Sequence, residues 1–139
     1  MTQAPPAIEN SRRAYEIFRS HLTADVEEIW ALALNSGKMP IRLKRIFRGT
    51  VDACLAHPRD IFRFACVSNS SNLIIAHNHP SHDPMPSPED IAFTRKLITG
   101  GFILEIPVLD HLIIAGNRYL SLADQRLCNF SVFDGRDQK

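Results

Sequence analysis

The stretch HNHPSHDPMPSPED, from His77 to Asp90, sets three histidines, three carboxylates and four prolines directly after the apolar run Leu73, Ile74, Ile75 and Ala76. Imidazoles and carboxylates at this density suit a divalent metal. On a β-strand, residues two apart point to the same face, so His77 and His79 at the end of the strand can hold one ion while Asn78 turns away. Catalytic zinc takes three protein ligands and leaves a fourth position open. The third ligand falls to one of two carboxylates. Asp90 stands in the first turn of a helix aimed back at the strand end, and Asp83 stands in a proline-bounded loop; the helical position is the better fixed. Ser87 and Asp90 also match the S-x-x-D capping box, which by itself needs no metal. Pro80, Pro84, Pro86 and Pro88 restrict the connecting loop and lower the entropy lost on ordering it.

The elements that must hold these residues follow from periodicity and punctuation. Ala14, Ile17, Phe18 and Leu22 recur at about one-turn spacing and predict a short helix behind a proline-containing leader. In VEEIWALALNSGKMPIRLKRIF, an apolar run, the turn signal Asn35-Ser36-Gly37 and an alternating segment predict a hairpin. Pro58 opens a second helix with Ile61, Phe62, Ala65 and Cys66 on one face. After the strand Leu73 to His77, a third helix opens at Ser87 and carries Ile91, Thr94, Leu97 and Ile98 to the paired Gly100-Gly101. IPVLDHLIIAG and YLSL complete the strands around a turn at Gly116-Asn117, and Trp30 and the phenylalanines are assigned to the core. Strands and helices in this order predict a three-layer α/β or α+β domain on one sheet. The divisions expected are a leader with its helix over 1–22, the main domain over 23–125 and a tail over 126–139.

Composition narrows the function classes. A chain of 139 residues with 45% hydrophobic content suits a single domain with a real core. A net charge of +1 supplies no global field toward nucleic acid or anionic membranes. Cys54, Cys66 and Cys128 lie far apart without a CxxC, which predicts neither a disulfide framework nor a thiolate zinc knuckle. With no apolar signal-peptide core and no run of eighteen apolar residues, the expectation is a soluble cytoplasmic protein with no membrane contact.

His77-x-His79, seven residues to Ser87, then two to Asp90, is the HxHx7SxxD spacing of the JAMM/MPN metalloproteases. The words RGTVDACLAHPRDIFRFA, IIAHNHPSHDPMPSPEDIAFTRKL and IPVLDHLIIAGNRYLSL closely resemble the RadC-like branch of that superfamily, over about residues 23 to 125. The resemblance implies an MPN/JAMM, cytidine-deaminase-like fold with a mixed, curved sheet flanked by helices. It implies a zinc ion (Zn2+) on His77, His79 and Asp90, Ser87 steadying an oxyanion, and an upstream glutamate as general base. That base is Glu27, with Glu28 as its rival and Asp60 as a weaker third. The activity implied is a metallopeptidase or isopeptidase acting on a protein or peptide. Where the family reads HPSGD, this chain has His82 in place of the glycine, which predicts a surface histidine more than an added ligand.

The competing function is a non-catalytic, metal-stabilised accessory module associated with nucleic acid, as the RadC link to DNA repair suggests. Longer RadC proteins carry an N-terminal helix-hairpin-helix region that these 139 residues do not contain, so nucleic acid is the weaker expectation. Barrel hydrolases that also use HxH need about 250 residues. The basic residues Arg42, Lys44, Arg45 and Arg48 alternate with apolar ones and predict the wet face of a strand rather than a phosphate site. His111, on an apolar strand, reads as a core histidine that the word LDH brings within reach of the ligands, and His57 reads as part of a helix cap.

Overall fold

A computed structural model of the chain describes residues 6–22, 25–49 and 56–130. Cys54 and the tail beyond residue 130 lie outside the described residues. Three helices, α1 (Ser11–Arg19), α2 (Pro58–Val67) and α3 (Pro88–Leu104), accompany five strands: β1 (Glu27–Leu34), β2 (Pro40–Gly49), β3 (Asn72–Asn78), β4 (Val108–Ala115) and β5 (Arg118–Ser121). The strands form one sheet in the order β2-β1-β3-β4-β5. β3 and β4 run parallel, and the other neighbours are antiparallel. A parallel pair needs a long crossover; here α3 and the proline-rich loop supply it.

β3 sits at the middle of the sheet with both faces covered, which is why Leu73 to Ala76 is apolar without alternation. On one face, Ile29, Ala31, Leu73 and Ile75 pack with Ile61 and Phe62 of α2 and Leu97 of α3. On the other, Leu32, Leu34, Ile74 and Leu112 pack with Ala14, Tyr15 and Phe18 of α1. Tyr15 also stacks on Tyr119, with ring centroids 4.5 Å apart. Helices on both sides of a mixed sheet give the three-layer architecture expected of the MPN/JAMM fold. Ile8, ahead of α1, is buried and donates its N–H to the Lys38 carbonyl at 2.8 Å. Among the described residues, no helix is long and apolar enough to cross a membrane.

Two local expectations need correction. Gly100-Gly101 does not end α3, which runs on to Leu104 and is capped by Glu105 in the left-handed region at φ 58°. Gly101 is there for close approach, because a Cβ on it would stand 2.6 Å from the Ile106 carbonyl oxygen. The extra turn leaves Phe102 45% exposed, unlike the buried Phe18, Phe62 and Phe64. His57 takes part in the helix cap as expected, occupying the N-cap position of α2 through its backbone, with no capping hydrogen bond from its side chain.

Candidate metal centre

The parity of β3 sends His77 toward α3 and Asn78 toward the opposite face. His79 follows the strand end, its N–H bonded to the Ile114 carbonyl at 2.9 Å, and its ring turns back beside His77. Asp90 arrives from α3, where the capping box forms in full. Ser87 Oγ accepts from the Asp90 N–H at 3.1 Å, and the Ser87 N–H donates to Asp90 Oδ2 at 2.9 Å. The cap that needs no metal therefore also aims the Asp90 carboxylate at the two imidazoles.

His77 Nε2 lies 2.9 Å from His79 Nε2 and 3.3 Å from Asp90 Oδ1, and His79 Nε2 lies 3.1 Å from Asp90 Oδ2. Ligand atoms around a tetrahedral zinc at about 2.0–2.1 Å stand about 3.3 Å from one another. The three side chains thus converge at the spacing of one coordination shell, and they form a candidate metal cluster. The donor chemistry agrees with the spacing. His79 Nδ1 lies 2.9 Å from the Asp83 carbonyl oxygen, which only accepts, so Nδ1 carries a proton and a neutral His79 presents a bare Nε2 to the cluster. Asp83 is not part of the cluster; it holds His79 through its backbone, and its carboxylate accepts from the Met85 N–H.

The electrostatics fit a cation position. Burial pushes the Asp90 carboxyl up, but its contacts with the His77 and His79 rings outweigh it and hold Asp90 well below the usual carboxylate range. The Asp90 contact raises His79 against the opposing effect of burial, helped by the Asp83 carbonyl and the nearby Glu27 charge. His111 is pushed well below the ordinary histidine value by burial and by the neighbouring His77. His79, at 18% side-chain exposure, opens the cluster to solvent, whereas His77 and Asp90 are buried.

The two glutamates separate by face. Ile29 pairs with His77 across the antiparallel β1·β3 ladder, and Glu27, two residues earlier, shares its face. Glu28 points the other way, to Trp30 Nε1 at 3.3 Å, Arg45 at 3.3 Å and Arg48 at 3.7 Å. The Asn78 side chain continues the ladder past its last backbone pair. It accepts from the Glu28 N–H at 2.7 Å and donates to the Val26 carbonyl at 2.8 Å, clamping the backbone on both sides of Glu27. Asp60 lies in the first turn of α2, where it lines a cleft with Arg42 and Lys44 of β2, and it is not part of the cluster. His82 is exposed, and of the basic residues on β2, Arg45 and Arg48 answer Glu28.

Sequence reasoning missed two contributors. Asn78 works precisely because it faces away, and Thr94 lies under the cluster with Oγ1 2.6 Å from His111 Nδ1. The only sequence signal for Thr94 is its place one helical turn after Asp90.

A mixed sheet with helices on both faces and an HxH pair meeting a capped aspartate defines the JAMM class of metal-site architecture. The chain belongs to the RadC-like JAB domain family, which it matches over residues 8–127. It is 43% identical over 109 residues to a UPF0758 protein of Methanococcoides burtonii, covering 78% of this chain and 48% of that protein. It is 43% identical over 98 residues to a UPF0758 protein of Desulforudis audaxviator, covering 70% and 43%. A UPF0758 protein of Roseiflexus castenholzii is 38% identical over 112 residues, covering 81% and 47%. The chain spans about half the length of these curated relatives.

Proposed function

We propose that the chain is a zinc-dependent hydrolase that cleaves an amide bond in a protein or peptide, as a metallopeptidase or isopeptidase. The observation that carries this reading is the convergence of His77 Nε2, His79 Nε2 and the Asp90 carboxylate within 4.8 Å of one another. Those three side chains would hold the ion. Zinc in such a site lowers the pKa of water to about 7 and polarises a carbonyl. Glu27 is assigned as the general base, taking a proton from the attacking water and returning it to the leaving amine. Its place on the face of His77 and its contribution to the His79 pKa support that role over Glu28, whose carboxylate is committed to Arg45, Arg48 and Trp30. Ser87 is assigned to steady the oxyanion of the tetrahedral intermediate, from a position fixed by its bond to the Asp90 N–H.

The test is elemental analysis together with turnover on a panel of peptide and isopeptide-linked substrates. Stoichiometric zinc in the wild type, and its loss in His77→Ala, are expected. Glu27→Gln should keep zinc and fold while losing turnover. A protein that takes up no zinc would overturn the proposal, and a Glu27→Gln protein with wild-type turnover would remove Glu27 as the base.

A further inference from the structure

The cluster is backed by a buried chain of polar groups whose middle members, His111 and Thr94, none of the assignments above uses. His77 Nδ1 lies 2.7 Å from His111 Nε2, His111 Nδ1 lies 2.6 Å from Thr94 Oγ1, and Thr94 Oγ1 donates to the Asp90 carbonyl at 2.8 Å. His77, His111, Thr94 and Asp90 are all buried, so each proton must sit between a donor and an acceptor inside the protein. One placement follows from satisfying the Asp90 carbonyl contact of Thr94. The hydroxyl has one proton and gives it to the Asp90 carbonyl, so its oxygen accepts from His111 Nδ1–H. A neutral His111 protonated at Nδ1 has a bare Nε2, which accepts from His77 Nδ1–H. A neutral His77 protonated at Nδ1 has a bare Nε2, and that is the atom 3.3 Å from Asp90 Oδ1 in the cluster.

We propose that Thr94 and His111 are positioning residues that hold His77 in the tautomer whose Nε2 lone pair faces the metal position. The inference rests on the metal reading above for its purpose, but the tautomer is a property of the metal-free chain. The relay also loops back to its start: Thr94 is bonded to the backbone of Asp90, so α3 fixes one ligand by its cap and orients another through His111. His79 needs no such relay because the Asp83 carbonyl fixes its tautomer directly. The opposite polarity would have Thr94 donate to His111 Nδ1 and His111 Nε2–H donate to His77 Nδ1. It would put a proton on His77 Nε2 and block that ligand.

The substitution that discriminates is Thr94→Val, which keeps the shape of the side chain and removes the acceptor. His111 then has no partner for Nδ1–H, and the reversed tautomer becomes the favoured one. Nitrogen-15 NMR of histidine-labelled, metal-free protein should show His77 protonated at Nδ1 in the wild type and in Thr94→Ser, and at Nε2 in Thr94→Val. Zinc affinity by chelator competition should fall about 10–100-fold in Thr94→Val and stay near wild type in Thr94→Ser. His111→Gln, whose amide oxygen can accept from His77, should retain more affinity than His111→Leu. A Thr94→Val protein with the wild-type His77 signal and wild-type zinc affinity overturns the proposal. A wild type that shows the Nδ1–H tautomer but takes up no zinc supports the relay and overturns the metal reading instead.

Discussion

Glu27 and Glu28 are neighbours on β1, at 6% and 1% exposure, yet they belong to opposite faces of the sheet and to different chemistries. On the α1 side, Glu28 meets two arginines and an indole N–H, which are permanent donors that neutralise a buried carboxylate. On the α3 side, Glu27 shares its face with His77 of the candidate metal cluster, whose imidazoles are groups of a kind that can exchange protons or bind metal. Burial of a carboxylate does not distinguish a structural role from a reactive one. The charge state its partners can adopt does. Asp90 and Asp110 repeat the contrast: imidazoles hold Asp90 low, whereas Asp110 has only neutral donors and burial lifts it to about 6.

The largest expected effect is the split between the two glutamates in turnover. Under the proposed function, Glu27→Gln lowers kcat by about 10²–10⁴-fold at unchanged zinc content. Glu28→Gln leaves kcat within a few-fold once folded protein is compared. If both variants lose turnover equally, the division by faces is wrong.

The next effect reads Asp110 through pH. Burial raises this carboxyl from 3.8 to about 6, against hydrogen bonds from Ser121 at 2.5 Å, the Ala123 N–H at 3.0 Å and the His111 N–H at 2.7 Å. Between those values the folded state binds more protons than the unfolded state, so the contribution of Asp110 to stability falls as pH rises from about 4 to about 6. The span corresponds to about 3 kcal/mol. Asp110→Asn removes this dependence, and urea midpoints of the two proteins across that range should converge toward acid pH and diverge toward pH 6 and above. Parallel curves for the two proteins would show that Asp110 ionises at its ordinary value.

Glu28→Gln tests the structural half of the comparison. Loss of charge-assisted bonds to Arg45, Arg48 and Trp30 should cost about 1.5–3 kcal/mol. The lower end is expected because both arginines are nearly half exposed and regain water. The measurement is chemical denaturation at neutral pH, and an unchanged midpoint would mean that the pair is ornamental.

The candidate metal cluster was legible because local rules alone bring its three side chains together. Strand parity pairs His77 with His79, and the capping pattern places Asp90 on a helix start, so neither needs knowledge of a distant contact. The hairpin, the three-layer class and the surface position of His82 were legible for the same reason. The choice between Glu27 and Glu28 was not fixed by local rules. It depends on the register of β1 against β3, fifty positions away, and a slip of one residue would exchange their faces. Thr94 was invisible because a threonine inside an amphipathic helix has no signature until His111 is brought beside it. Gly100-Gly101 misled because glycine signals both a helix end and a close contact, and only the Ile106 carbonyl shows which applies.

The smallest effect concerns the loop between His79 and Ser87. His82 lies at φ 66°, in the left-handed region where a side chain costs about 1–2 kcal/mol and glycine costs nothing sterically. Its ring lies over the turn at Gly116, with Nδ1 3.3 Å from where a Cβ on that glycine would stand, and its carbonyl accepts from Arg118 at 2.7 Å. His82→Gly keeps the Arg118 bond and relieves the backbone, while returning about 0.5–1 kcal/mol of entropy to the unfolded chain. The net expectation is a gain of about 0.5–1 kcal/mol, read as a higher urea midpoint at unchanged slope. Zinc affinity should not change, because the two strand-end histidines and the capped aspartate hold their places without this ring. A fall in affinity instead would draw the exposed loop into the site and move the boundary between the two regions from the sheet face to the loop.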